Sequence, residues 1–209
     1  MEIETIFDGF CHVVIDMQRL FAEETVWHAP AMQDILGNVV ALCRRMPSET
    51  LYARFIVPAS VEDASGCWKS YYERWSVLTG DHHDPALHDL MEPLKAIAPA
   101  TQVFDKPGYS IFSNETIHAR LQSRGVRALI FSGAETDVCV YSSVLHAIDL
   151  NYRVVIVTDA VGSSDNAAHR AVIEQLAPRM PEQILLLSTE AILSALDSAA
   201  ARRSHQRIV

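Results

Sequence analysis

Along this chain, short and almost unbroken apolar runs alternate with longer stretches in which apolar residues recur every three or four positions. The runs predict strands at 11–16, 50–57, 102–105, 128–132, 154–158 and 183–187. Several have no polar alternation, as expected of strands buried on both faces. Between them, segment 32–46 carries Ile35, Val39, Leu42 and Met46 on one helical stripe. Segment 114–124 puts Ile117 and Leu121 on one face and stops at Gly125, a glycine that suits the position just past a helix end. Segments 138–150, 167–176 and 189–200 read as helices in the same way. The resulting order is β-α-β-insert-β-α-β-α-β-α-β-α. It predicts an α/β fold, a doubly wound six-stranded parallel sheet with helices on both faces, as one domain over residues 1–209. In such sheets ligands bind beyond the carboxyl ends of the strands, where the strand order reverses.

The insert at about 58–99 breaks the rhythm. It holds Trp68, Tyr71, Tyr72 and Trp75, three of them at helical spacing. A long structured insert is commonly a lid or a subunit contact. Packing on the domain's own surface, an interface, and direct contact with a substrate are all compatible with this stripe.

Composition removes several function classes. The formal net charge of -9 opposes binding to a phosphate backbone. Arg202, Arg203 and Arg207 read as a solvated tail rather than a nucleic-acid patch. The first ten residues are acidic where a secretory signal needs a basic region, and the apolar run at 11–15 is too short to cross a bilayer. A cytoplasmic protein with no membrane or nucleic-acid partner is the expectation. The four cysteines, Cys11, Cys43, Cys67 and Cys139, lack CxxC or metal-finger spacing and are expected to be free thiols. No GxGxxG follows the first strand, which sets aside a nucleotide-dependent oxidoreductase.

Three strand ends carry ionisable groups. The first runs Val13-Val14-Ile15-Asp16-Met17-Gln18, the third ends Asp105-Lys106-Pro107, and the fourth runs through Ser132-Gly133-Ala134-Glu135-Thr136-Asp137-Val138-Cys139 into a helix. Thr136 or Asp137 is a suitable N-cap, which puts Cys139 in the first helical turn, where the dipole favours a thiolate. A carboxylate at Asp16 could take the thiol proton, and N–H groups at the helix start could hold an oxyanion. For Lys106 the plainer reading is a surface lysine paired with Asp105.

Val-Ile-Asp-Met-Gln after the first strand, Lys-Pro after the third and Gly-x-x-Thr-x-x-Cys-Val opening a helix resemble the isochorismatase-like superfamily, in its cysteine hydrolase branch. Ala147-x-Asp149 and the run from Tyr152 to Ala160 fit the same pattern. The resemblance implies a Rossmann-like three-layer sandwich. It implies Cys139 as nucleophile, Asp16 as proton acceptor and Lys106 as the cation favouring the thiolate. Members carry a non-proline cis peptide that maps to Ala134–Glu135 and would turn the backbone N–H groups of Glu135 and Cys139 toward an oxyanion. The implied reaction is hydrolysis of an amide, ureido or carbamoyl C–N bond in a small metabolite through a covalent thioenzyme. A vinyl-ether hydrolase of the isochorismate type, which would not depend on the cysteine, and a non-catalytic binding protein are the alternatives.

Nicotinamidase-like members build a metal site on Asp-x-His after the second strand. Here that strand runs into Arg54-Phe55-Ile56-Val57-Pro58, so neither a metal nor another cofactor is expected. The Asp81-His82-His83-Asp84 cluster reads as a solvated turn, and the remaining histidines as structural. Phe21, Trp27, Tyr109 and Phe112, in the loops after the first and third strands, are the candidate substrate-binding residues. Arg54 is expected to bind a carboxylate or to pair with an acidic residue of the insert. A homo-oligomer, dimer or tetramer, is the expected assembly, from the family habit and the aromatic insert.

Overall fold

The computed structural model describes the backbone of residues 6–206 and the side chains through residue 199. Arg207 and the side chains of Arg202 and Arg203 lie outside this range, so the basic tail is not described. The elements follow in order: β1 (Phe10–Ile15), α1 (Arg19–Ala22), α2 (Ala31–Arg45), β2 (Thr50–Phe55), α3 (Cys67–Arg74), α4 (Glu92–Lys95), β3 (Val103–Lys106), α5 (Thr116–Ser123), β4 (Ala128–Ala134), α6 (Tyr141–Asp149), β5 (Arg153–Gly162), α7 (Asn166–Arg170), β6 (Ile184–Leu187) and α8 (Thr189–Gln206). All six strands are parallel, in the order β3-β2-β1-β4-β5-β6. The order reverses between β1 and β4, which opens the ligand crevice of a doubly wound sheet at their carboxyl ends.

Each strand feeds two cores. Val14, Tyr52, Ile130 and Val155 face α2 and α8, with Met32, Val39, Leu42 and Ile192 packed on them. Val13, Ile15, Leu129, Phe131 and Ile156 face α5 and α6, against Ile117, Leu121, Val144 and Ala147. The period-2 side-chain alternation therefore holds although both faces are apolar.

Two elements run differently from the pattern. β5 continues past Thr158 to Gly162. Asp159 interrupts the apolar run, but its carboxylate accepts from the Thr189 N–H (2.7 Å) and hydroxyl (2.9 Å), so the strand crosses the polar step and resumes at Ala160. The helix after β4 opens at Thr136–Val140 as a wide π-turn before α6. Its N-cap position is Glu135 with no side-chain cap, so the expected capping by Thr136 or Asp137 does not occur. Those side chains are engaged elsewhere, Thr136 with His169 (2.9 Å) and Asp137 with Ser163.

The insert folds into α3, α4 and short 3-10 turns that return to β1. Met91 N–H donates to Met17 O at 2.9 Å and Arg19 N–H to Asp89 O at 3.0 Å. Its aromatic stripe packs onto the chain's own strand ends, where Tyr72, Trp68 and Tyr71 join Leu20, Phe55 and Val57 in a small third cluster. Among the described residues no helix is long and apolar enough to cross a membrane.

Candidate active site

Asp16 follows the last residue of β1, beside the crevice, with φ 52°, the left-handed region that asparagine and aspartate tolerate better than most residues. Its N–H is tied to Ala53 O at 3.0 Å. Next to it, Gly133 of β4 has φ 108°, and a Cβ there would stand 2.0 Å from Ile15 O. Only glycine lets β4 press this closely on β1, and the peptide Ala134–Glu135 that follows is cis.

Lys106 closes β3 and is fully buried. Its ammonium stands 2.8 Å from Asp16 Oδ2, donates to Gly108 O at 3.0 Å, and lies 4.9 Å over the Phe55 ring. It is therefore not a surface partner of Asp105. That carboxylate pairs with Arg54 (2.8 Å), which also faces Asp89 of the insert at 3.8 Å. Arg54 is thus occupied in the way its plainer reading anticipated, with the strand residue Asp105 added. The contact with Asp16 is a buried ion pair, and both carboxylate oxygens are closed off from solvent.

Cys139, in the opening turn of the helix after β4, presents its thiol to both groups. Burial pushes the Asp16 carboxyl up, and Lys106 pulls it part of the way back. Burial acts downward on Lys106, yet the Asp16 carboxylate and the Cys139 sulfur outweigh it and hold the ammonium above its ordinary value. The Cys139 thiol is pushed well up, first by burial and then by Asp16, with Lys106 opposing. Burial and the neighbouring carboxylate thus act against the thiolate, and the lysine acts for it.

A cavity of about 320 Å³ opens over this group. Asp16, Cys139 and Glu135 lie on it, and Phe21, Trp27 and Tyr109 line its wall. Phe112 does not. It is buried in the α5–α6 core, with its ring near His146 (4.9 Å) and stacked on Tyr152 at 6.1 Å. The turn Ile111–Ser113 folds inward because Ser143 Oγ accepts from Ile111 N–H at 3.0 Å.

Further residues join the site. Tyr71 and Trp75 of the insert line the cavity, whereas Trp68 and Tyr72 line an adjoining one of about 530 Å³ that also touches Lys106. Gln18, fully buried, accepts from Phe55 N–H (2.7 Å) and donates to Phe55 O (3.1 Å) and His88 O (3.0 Å). It pins the end of β2 and the insert to the turn that carries Asp16. The only sequence sign of this was its place two residues after the aspartate. The Asp81–Asp84 segment forms tight turns, with His83 Nδ1 2.8 Å from Thr79 O and Asp84 capping Ala86. Among the described residues no three His, Cys, Asp or Glu side chains gather as they would around a metal ion.

Comparison with known proteins follows the same lines. The Isochorismatase domain model matches residues 10–186. Isochorismatase family protein 1B of Dictyostelium discoideum is 30% identical over 110 residues, covering 52% of this chain and 52% of the relative, so the match spans about half of that protein's length. Ureidoacrylate amidohydrolase RutB of Enterobacter sp. (strain 638) is 44% identical over 168 residues, covering 71% of this chain and 73% of the relative. The crystal structure of a cysteine hydrolase from Pseudomonas syringae pv. phaseolicola 1448A superposes with a TM-score of 0.76 at 24% identity, covering 91% of this chain and 93% of that one, and shows the same fold.

Proposed function

The chain belongs to the isochorismatase family, and from that premise we propose that it hydrolyses an amide, ureido or carbamoyl C–N bond of a small metabolite through a covalent intermediate on Cys139. The carrying observation is the buried Asp16–Lys106 ion pair, 2.8 Å across, facing the Cys139 thiol at the floor of a cavity. The amidohydrolase relatives support the bond type.

The thiol begins neutral. As Sγ attacks the substrate carbonyl, its proton passes to Asp16, whose raised pKa suits a base. The backbone N–H groups of Glu135 and Cys139 would receive the oxyanion. Asp16 then hands the proton to the departing nitrogen, and ammonia or an amine leaves. Water gives a proton to Asp16 and attacks the thioester, the acid departs, and sulfur recovers the proton. Lys106 stays charged throughout and offsets the negative charge that moves between oxygen and sulfur. The full reaction consumes one water and yields one acid and one amine.

The test is ammonia release from a panel of primary amides and ureido compounds by wild type and Cys139→Ala, with intact-mass detection of an adduct on Cys139. Loss of turnover by about three orders of magnitude or more in Cys139→Ala, with an adduct in wild type, is expected. Undiminished turnover in that variant would exclude the thioenzyme and favour ether hydrolysis of the isochorismate type.

A further inference from the structure

The wall of the active-site cavity carries charge information that the catalytic groups do not. Six of its lining residues are aromatic: Phe21, Trp27, Phe55, Tyr71, Trp75 and Tyr109. Trp27 is their hub, stacked on Phe21 at 6.1 Å with a 10° interplanar angle and within 6.3 Å of Phe55, Tyr71 and Trp75. The ionisable carboxyls on the cavity are Asp16 and Glu135. Among the described residues no arginine or lysine lines it, and His28 is the single imidazole. Lys106 lies behind the floor, with its ammonium already committed to Asp16 and to Gly108 O.

A carboxylate entering this space would give up water and meet a largely aromatic wall together with two carboxyl groups. It would find no guanidinium fork or free ammonium in return. A flat uncharged group has the opposite balance, since an aromatic wall rewards apolar contact and no buried charge is left unpaired. Accepting the hydrolase reading above, we infer that the pocket selects an uncharged, flat amide and rejects substrates that carry a carboxylate. The chain then departs in specificity from the relative named for ureidoacrylate, whose acrylate end is an anion. The same repulsion has a use in turnover, because hydrolysis creates a carboxylate at Cys139 and the wall that rejects it on entry expels it as product.

The test is binding, so that it does not depend on turnover. In Cys139→Ala, benzamide and benzoate are titrated at about pH 7.5, where benzoate is fully ionised and the two differ chiefly in charge. Binding is read from the indole N–H signals of Trp27 and Trp75 in nitrogen-15 spectra, assigned with Trp68→Phe. Benzamide is expected to shift both signals and to bind at least about ten-fold tighter than benzoate. Val26 lines the mouth and is 55% exposed, so Val26→Lys leaves the core untouched, and the added cation is expected to narrow or reverse the preference.

Equal or tighter benzoate binding in the parent protein overturns the inference. Benzoate binding that is lost in His28→Gln overturns it too and assigns carboxylate reading to that imidazole. Silence of both indoles toward both ligands overturns the flat-group assignment, while the hydrolase reading stays open to its own adduct test.

Discussion

Lys106 reaches Asp16 across a strand that belongs to neither of them. Lys106 ends β3 and Asp16 directly follows β1, the two strands that flank β2 in the sheet, and the lysine passes over the Phe55 ring at the end of β2 to close a 2.8 Å ion pair. The register Phe55↔Lys106 places the lysine level with the last residue of β2. A shift of one residue in β3 would turn that side chain to the other face.

This pair is buried at both ends, so removing one partner leaves an uncompensated charge. Lys106→Met is expected to cost about 3–5 kcal/mol, less whatever Asp16 recovers by taking up a proton. Asp16→Asn, which keeps a residue type tolerant of the φ 52° backbone, is expected to cost a similar amount. The double variant should be less destabilised than the sum of the singles by at least about 1 kcal/mol, read from urea unfolding as a double-mutant cycle. Additive costs would mean that the pair contributes no coupling.

The raised pKa of Cys139 gives a test that separates electrostatics from catalysis. Burial and then Asp16 push the Cys139 thiol up, so Asp16→Asn is expected to lower its pKa and raise its thiolate fraction. Iodoacetamide at about pH 7 should then alkylate Cys139 faster in Asp16→Asn than in wild type, while substrate turnover falls. Cys67, exposed, serves as the internal reference. Cys11 and Cys43, pushed up to about 12 by burial, should stay unmodified in the folded state. Slower alkylation in Asp16→Asn would show that the carboxylate acts as base even toward this reagent.

His12 sits inside β1 between Thr50 Oγ1 (3.1 Å) and Ser132 Oγ (2.8 Å), and burial lowers its pKa to about 3. A folded-state pKa below the unfolded value means that the unfolded chain binds the extra proton. The stability this leaves intact at neutral pH is lost as pH falls from about 6.5 toward 3. Between pH 6.5 and pH 4 the loss from this group is on the order of 3 kcal/mol. Urea midpoints of wild type and His12→Gln across that range should converge on acidification, and parallel curves would remove His12 from the acid response.

Phe112 and Trp27 should behave oppositely. Phe112→Ala opens a cavity in the α5–α6 core and is expected to lower stability by about 3–4 kcal/mol with KM unchanged. Trp27→Ala removes the hub of the cavity wall and is expected to raise KM for an amide substrate several-fold. Chemical denaturation and steady-state kinetics on the two variants suffice, and a raised KM in Phe112→Ala would return that residue to the site.

Strand positions were legible because each strand is largely an apolar run, and the candidate reacting groups because three of the strand ends carry ionisable residues. Asp16 and Lys106 stand out as ionisable residues at the ends of apolar strands, and Cys139 as a cysteine in the turn that opens the next helix. The wall was only half legible. Phe112 follows the lysine as Tyr109 does, and nothing in the local pattern says that Ser143, 31 residues further on, will draw its turn inward. Trp68, Tyr72 and Trp75 stood out as a helical stripe with Tyr71 beside it, but whether such a stripe faces a cavity or a core depends on how the insert lands, through Gln18 and the Met17–Met91 contact. The influences on the Cys139 thiol were legible only in part. A helix start and a lysine are visible in sequence, whereas full burial beside a carboxylate is a tertiary fact.

Asp16 and Lys106 stand at the ends of strands locked in register, whereas the aromatic wall is drawn from several loops, with Phe21 and Trp27 after β1, Tyr71 and Trp75 in the insert and Tyr109 after β3. Floor and wall therefore share loops, with Phe21 five residues past Asp16 and Tyr109 three past Lys106. A change in any one loop redraws part of the wall while the strand register goes on holding the floor.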